Sequence, residues 1–424
     1  MSQTDPSFPA LHGRPDQGWV NDPNGLAVID GRYHVFFQYN PDAPVHRNIH
    51  WGHISSTDLV RWHQEPIALV PRTDGPDGMG CWTGCLVDDQ GTPTAVYTAA
   101  GARYPREGGV ALATSDRSAI SWTQSQSVLD ESNGPDEIEV RDPYVFSFRG
   151  RRYAVQGGGS FGGPPRILLY GCDDLQDWTY LGELVQPGDS IAAACGDVRV
   201  WECPNLVELD GRWVLLTSPL VAAEKGLASG PVTAFVGRLE PAADGLRFHP
   251  ETTCQVDGGA SFYAPQVLVH GERRLLWAWS RDLGRPAADI EATGWTGTLT
   301  FPRELRLVAG TLRAEPAAEL IGLRRERLTP EDGVVPANAF EIEGSTTAVR
   351  LILERDGAAQ TVLDHRRTQP GNLRILVDGS LVEVFVDGEP PQTLRAYPGP
   401  RSRWRIEGDT ELSVWRLGLR EPHQ

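Results

Sequence analysis

Five turn glycines at a fixed spacing constrain the fold of this 424-residue chain more than any other feature. Gly31, Gly91, Gly150, Gly211 and Gly271 sit in DGRYHVFF, DQGTPTAVY, RGRRYAV, DGRWVLL and HGERRLLW, and successive members lie 60, 59, 61 and 60 residues apart. A glycine flanked by alternating apolar runs is a hairpin signal. A second series keeps the same register: Asp58 to Trp62, Asp116 to Trp122 and Asp174 to Trp178 each place a turn and a tryptophan midway between glycines. Repeats of this length built from short strands predict an all-β chain whose residues 1–305 form a five-bladed β-propeller of four-stranded blades. A layered α/β fold needs amphipathic helical stretches between the strands, and these are missing.

The period stops near residue 305. Residues 306–324 read as a connector with at most a short helix, and 325–424 hold alternating runs such as Ala348–Glu354, Leu373–Val377, Leu381–Val386 and Trp404–Ile406. Asp378-Gly379 is a hairpin turn between two of them. Strands of this kind over about 100 residues predict a C-terminal β-sandwich, with an apolar face against the side of the propeller.

Composition narrows the function. The chain carries 46 Gly, 33 Pro and 13 Trp, as a turn-rich β protein should, and its net charge is −17. That charge argues against nucleic acid or an anionic membrane as partner, because both demand basic patches. Neither a basic-then-apolar leader nor an apolar run of about eighteen residues occurs, so the chain as written reads as cytoplasmic. The six cysteines, Cys81, Cys85, Cys172, Cys195, Cys203 and Cys254, include no C-x-x-C pair and read as reduced buried thiols.

The repeat decides which carboxylates matter. Eight or nine residues before each turn glycine stand Asp22, Thr83, Asp142, Glu202 and Tyr263. The first strand of each propeller blade lines the central channel, so equivalent positions there converge. Carboxylates brought together from separate blades repel one another unless protonated or engaged by a ligand, a cost that a structural role does not explain. Asp22 lies in WVNDPNG, where Pro-Asn-Gly suggests a turn; Asp142 in RDPY, beside Arg141; and Glu202 in WECPN, between an indole and a thiol that suit a general acid. Two carboxylates flanking a scissile bond are the minimum apparatus of glycoside hydrolysis.

Other chemistries lack their residues. His46, His50 and His53 have no carboxylate at ligand spacing, and HExxH, GxSxG and a P-loop are absent. Gly157-Gly158-Gly159 with Gly162-Gly163 reads as a loop near the channel mouth. No metal or cofactor is called for.

At its three acidic motifs the sequence resembles glycoside hydrolase family 32, the invertases and fructan hydrolases. WVNDPNGLAVIDGRYHVFFQYNP, RDP and WECPNL match the family's three motifs in order, and HWGHISSTDLVRWHQEPIAL, GASFYAPQ, RELRL and LRILVDGSLVEVF resemble further segments. The likeness spans essentially the whole chain and implies a five-bladed propeller followed by a β-sandwich. It implies Asp22 as nucleophile, Glu202 as acid/base and Asp142 as stabiliser of the fructosyl transition state. Asn21, Gln38, Trp51, Trp82, Thr83, Arg141 and Tyr263 would line the fructosyl pocket, with Trp19 and Trp279 as walls. Two positions depart from the pattern. Trp82-Thr83-Gly84 stands for aromatic-Ser-Gly, and Ser261 stands where a carboxylate often precedes Phe-Tyr-Ala.

The activity this implies is release of fructose from sucrose or short fructo-oligosaccharides with retention, which expects the Asp22 and Glu202 carboxyls about 5–5.5 Å apart. Three alternatives stay open: fructosyl transfer within the family, a related arabinosidase or xylosidase, and a catalytically silent sugar-binding propeller. A phosphorylated sugar would need Arg103, Arg106 or Arg166 at the rim.

Overall fold

The computed structural model describes residues 5–101, 108–130, 139–160, 163–185, 196–224, 226–408 and 412–420, and nearly all of its regular structure is strand. Five hairpins start at the expected glycines with two-residue turns, pairing Ile29 with Arg32, Asp89 with Thr92, Phe148 with Arg151, Leu209 with Arg212 and His270 with Arg273. In four of them both turn residues are left-handed: Asp30-Gly31, Gln90-Gly91, Arg149-Gly150 and Asp210-Gly211 have φ between 49° and 91°. That is the twist a tight hairpin requires. The second sequence series forms turns farther out in the blades. Asp58 accepts the amides of Val60 and Arg61, and the indoles of Trp122 and Trp178 donate to Ala119 and Leu175.

Each hairpin supplies the two inner strands of a blade. The innermost strands are Gly18–Ile29, Gly80–Asp89, Glu139–Phe148, Val198–Leu209 and Phe262–His270. Blades 1 and 2 are separate sheets, while blades 3 and 4 are joined by a Gly159–Val200 bridge. Trp295–Thr296 pairs in parallel with Gly18 and Trp19, so chain from the end of the propeller adds to its first strand and closes the ring. The glycine run expected as a loop instead ends the second strand of blade 3, Arg151–Gly159. A Cβ on Gly157 or Gly159 would meet the carbonyls of Trp201 or Arg199 at 2.1 and 2.0 Å, so these glycines let two blades approach.

The expected connector divides differently. Arg303–Val308 and Thr311–Pro316 pair with each other, and the first also pairs with Arg273–Ser280, making them the outer strands of blade 5. Only the 3₁₀ turn Ala318–Leu323 links this blade to the C-terminal domain. Blade 5 is long because a short helix, Ala287–Thr293, and the ring-closing strand intervene between its second and third strands.

In the C-terminal β-sandwich, Ala339–Arg355 and Ala358–Asp378 form a long hairpin with register shifts near Ala348 and Ile352. One end of Ala339–Arg355 pairs with Ser413–Leu417 and the other with Arg403–Gly408, so a single strand serves two layers. Asp378 pairs with Leu381 across the expected turn.

Leu376, Phe385 and Leu417 pack with Leu11, Phe301 and Leu320 of the preceding chain, the apolar contact the sequence predicts. A wholly buried ionic network runs beside it. Arg303 binds Asp257 at 2.6 Å and Glu383 at 2.6 Å, and also donates to Thr393. Glu383 further accepts the Phe301 amide at 2.7 Å, and His12 spans Asp378 and Glu383. Removing one partner from such a cluster typically costs about 3–5 kcal/mol, since the others remain buried and uncompensated. The network therefore fixes how sandwich and propeller meet. Among the described residues no helix is long and apolar enough to cross a membrane.

Candidate active site

All five innermost strands carry the same irregularity. Two residues oppose one on the neighbouring strand: 21–22 against Gln38, 82–83 against Thr98, 142–143 against Gln156, 203–204 against Thr217 and 264–265 against Ala278. A bulge of this kind re-aims side chains. Asp142, Cys203 and Ala264 take left-handed φ of 62°, 48° and 47° there. The bulges are tied across blades by hydrogen bonds. Thr98 Oγ1 accepts the Asp142 amide at 2.8 Å, Asp142 Oδ2 accepts the Cys203 amide at 2.9 Å, and Ser218 Oγ accepts the Ala264 amide at 3.1 Å.

Pro23-Asn24-Gly25 is not the turn expected but part of the first blade's inner strand. Gly25 has φ 51°, and a Cβ there would meet the Trp51 ring at 2.8 Å. Trp51 is accordingly buried, and its indole donates to the Trp82 carbonyl at 2.9 Å.

The three acids do converge. Asp22 Oδ2 accepts hydrogen bonds from Thr83 Oγ1 at 2.6 Å and Gln38 Nε2 at 3.2 Å, while Oδ1 accepts from Asn21 Nδ2 at 3.1 Å. Trp19 Nε1 donates to Asn21 Oδ1 at 2.7 Å, and the Trp19 and Trp279 rings lie 5.6 Å apart. Glu202 accepts from Tyr263 at 2.8 Å and from Arg141 at 3.1 Å, with Arg141 also paired to Glu139 and 5.8 Å from the Trp82 ring. The Cys203 thiol does not flank Glu202 as the sequence suggests. Its bulge turns it inward, where Sγ lies 3.6 Å from Asp22 Oδ2 and 3.5 Å from Asp142 Oδ2.

Burial raises both aspartates. Burial pushes the Asp22 carboxyl up to about 6, the charge of Glu202 adds to this, and hydrogen bonds from Thr83, Asn21 and Cys203 oppose it. Burial likewise pushes Asp142 up to about 7, reinforced by Glu202 and Asp22 against the pull of Arg141 and the Cys203 amide. Burial and the neighbouring carboxylates also push up the Cys203 thiol and the Tyr263 hydroxyl, so both remain protonated donors.

Nothing in the sequence marks His46 as a site residue. It bonds Gln38 Oε1 at 3.3 Å, and its ring lies 5.8 Å from both Trp19, an expected wall, and Trp82, an expected lining residue. Of the arginines considered for a phosphorylated sugar, Arg166 is paired to Glu183, and Arg103 and Arg106 lie outside the described residues, as does Cys195.

A five-bladed propeller whose channel gathers two aspartates and a glutamate from three blades defines a glycosidase. The chain belongs to glycoside hydrolase family 32: the family's N-terminal domain matches residues 12–316 and its C-terminal domain residues 339–416. The first match ends where the outer strands of blade 5 end. A sucrose-6-phosphate hydrolase of Klebsiella pneumoniae is 34% identical, covering 98% of this chain and 94% of that protein. A raffinose invertase of Escherichia coli is 31% identical over 97% and 95%. Among solved structures, a β-fructofuranosidase mutant of Bombyx mori in complex with sucrose is 26% identical with a TM-score of 0.79, covering 98% of this chain and 94% of that one. The sucrose-6-phosphate hydrolase of Lactobacillus gasseri shares the fold at a TM-score of 0.82, 22% identity and coverages of 98% and 94%.

Proposed function

We propose that this protein hydrolyses β-fructofuranosides, releasing the terminal fructose with retention of configuration. The observation that carries the reading is the pairing of differently held acids at one end of the channel. Asp22 is an oriented carboxylate with four neutral side chains bonded to it, those of Thr83, Gln38, Asn21 and Cys203, and Glu202 sits between a tyrosine hydroxyl and a guanidinium. In the first step Asp22 attacks the anomeric carbon, the bond to the leaving oxygen breaks, and Glu202 gives that oxygen its proton. In the second, Glu202 takes a proton from water, the water oxygen bonds the anomeric carbon, and Asp22 leaves as a carboxylate. Asp142, pushed up to about 7 by burial, faces the developing positive charge on the sugar and lowers the barrier as a second anion once it has ionised. The test is to follow sucrose hydrolysis by NMR before mutarotation. Fructose appearing first as the β anomer supports the reading; the α anomer, or no release from sucrose, 1-kestose, inulin or levan, overturns it.

Both aspartates must be ionised, so kcat/KM should fall as pH drops from about 7 through about 6. Thr83 donates to the charged form of Asp22, and Thr83→Val removes that support. The acid limb of the Thr83→Val profile is expected at higher pH than that of the wild type; a limb that stays or moves lower contradicts Asp22 as a titrating group.

A further inference from the structure

One buried ionisable side chain takes no part in the reaction proposed above. His12 lies in the segment that precedes the first blade, and its ring sits between propeller and sandwich. Nδ1 is 2.8 Å from Asp378 Oδ2 and Nε2 is 3.2 Å from Glu383 Oε1, while the ring stacks on Phe301 with centroids 3.6 Å apart. The side chains of His12, Asp378 and Glu383 are 1%, 2% and 0% exposed, so solvent reaches neither contact. Both contacts call for an N–H. A neutral imidazole has one N–H and one lone pair, and in either tautomer the lone pair would face a carboxylate oxygen. Only the imidazolium satisfies both acids.

The surrounding charges demand the same proton. Asp378 Oδ2 also accepts the amides of Leu11 and His12, at 2.7 and 3.2 Å, and Glu383 Oε1 accepts the Phe301 amide, but these donors carry no charge. Arg303 pairs with Glu383 and Asp257, so a neutral His12 would leave three buried carboxylates against one guanidinium. Arg14, on the same segment as His12, is turned to the Pro15 and Gly297 carbonyls. Burial works against a charged His12, but the hydrogen bonds and charges of Asp378 and Glu383 outweigh it and raise the pKa above 6.5. The segment crosses the seam between the domains. The Ser380 amide donates to the Ser7 carbonyl at 2.9 Å, and the Phe8 ring meets Trp295 of the ring-closing strand edge-on at 5.3 Å. We propose that His12 is a proton-operated clasp, which binds this N-terminal strap and blade 5 to the sandwich while both ring nitrogens carry hydrogen and loosens them when alkaline pH removes one. Below 6.5 folded and unfolded chains are both charged at this residue, and the clasp stabilises fully. As pH rises from there through the higher folded value that stabilisation is lost.

The test follows the ring nitrogens of the full chain, labelled with ¹⁵N-histidine, by NMR from about pH 5 to about pH 10. The His12 signal is identified by its contact with the Phe301 ring and by its loss in His12→Gln. It should remain doubly protonated above pH 6.5. Asp378→Asn keeps an acceptor for the Leu11 and His12 amides but removes a charge, and should lower the His12 midpoint by about one unit or more. Thermal unfolding supplies a second readout. Below pH 6.5 the wild type should melt several degrees above His12→Gln, whose glutamine keeps a donor but never a charge, and this advantage should shrink as pH rises through the His12 midpoint. A wild-type ring already singly protonated at pH 6.5, or an advantage over His12→Gln that is the same at every pH, overturns the clasp. The wild-type titration decides the matter by itself where a variant folds poorly.

Discussion

Asp22→Asn is expected to lower kcat on sucrose by a factor on the order of ten thousand or more, because an amide oxygen cannot form the glycosyl ester on which the two-step route depends. The same substitution should stabilise the fold at alkaline pH. In the folded protein burial holds the Asp22 carboxyl at about 6, above its unfolded value of 3.8. Below the unfolded value both states are protonated and nothing is lost. As pH rises between the two values the unfolded chain releases its proton first, so stability falls until the folded carboxyl has also ionised. The neutral asparagine escapes this loss and should be more stable than the wild type by roughly 1–3 kcal/mol at pH 8, with the difference shrinking toward pH 4. Kinetics on sucrose and denaturant unfolding at the two pH values check both parts. Retained turnover, or a fructosyl adduct on the asparagine, removes Asp22 from the nucleophile's place.

Such a trade of stability for a charged group is why the acids stand out in the sequence at all. Five turn glycines set a period, the period fixes an equivalent position in each innermost strand, and three of those five positions hold carboxylates where a structural strand has no use for them. The same counting reaches Thr83 and Tyr263, which bind Asp22 and Glu202 respectively. Local chemistry near the site is less legible, because strand alternation carries no sign of the bulges. Alternation turns Cys203 away from Asp22; its left-handed φ brings the thiol back between two aspartates. Pro23-Asn24-Gly25 likewise stays inside a strand, and Gly25 leaves room for the Trp51 ring.

Blade 5 departs from expectation for a different reason. Its outer hairpin turns at Ala309-Gly310, both left-handed, a signal as good as the others. The ring-closing strand and the helix Ala287–Thr293 delay that hairpin beyond the period, so it falls in the segment that reads as a connector. The buried ions between propeller and sandwich are equally hidden. Arg303, Asp257 and Glu383 are far apart in the chain and lie in no motif that pairs them, and only tertiary structure makes them partners.

Glu202→Gln should cut sucrose hydrolysis about a hundred- to ten-thousandfold, the contribution of a positioned proton donor. Glutamine keeps an acceptor for Tyr263, so the fold should be unaltered while protonation of the leaving oxygen and deprotonation of water are both lost. The two losses can be separated. A fructoside with a leaving group that needs no proton should still form the covalent intermediate on Asp22, which then persists because no base activates water. Azide, a nucleophile that requires no base, should release it as a β-fructosyl azide. The azide-dependent reaction carries a second expectation. The charge of Glu202 raises both Asp22 and Asp142, so its removal should move the acid limb below the wild-type position between about 6 and about 7. Full sucrose turnover in Glu202→Gln denies it the acid/base role, and an acid limb that does not move downward denies the electrostatic coupling that sets the nucleophile's ionisation.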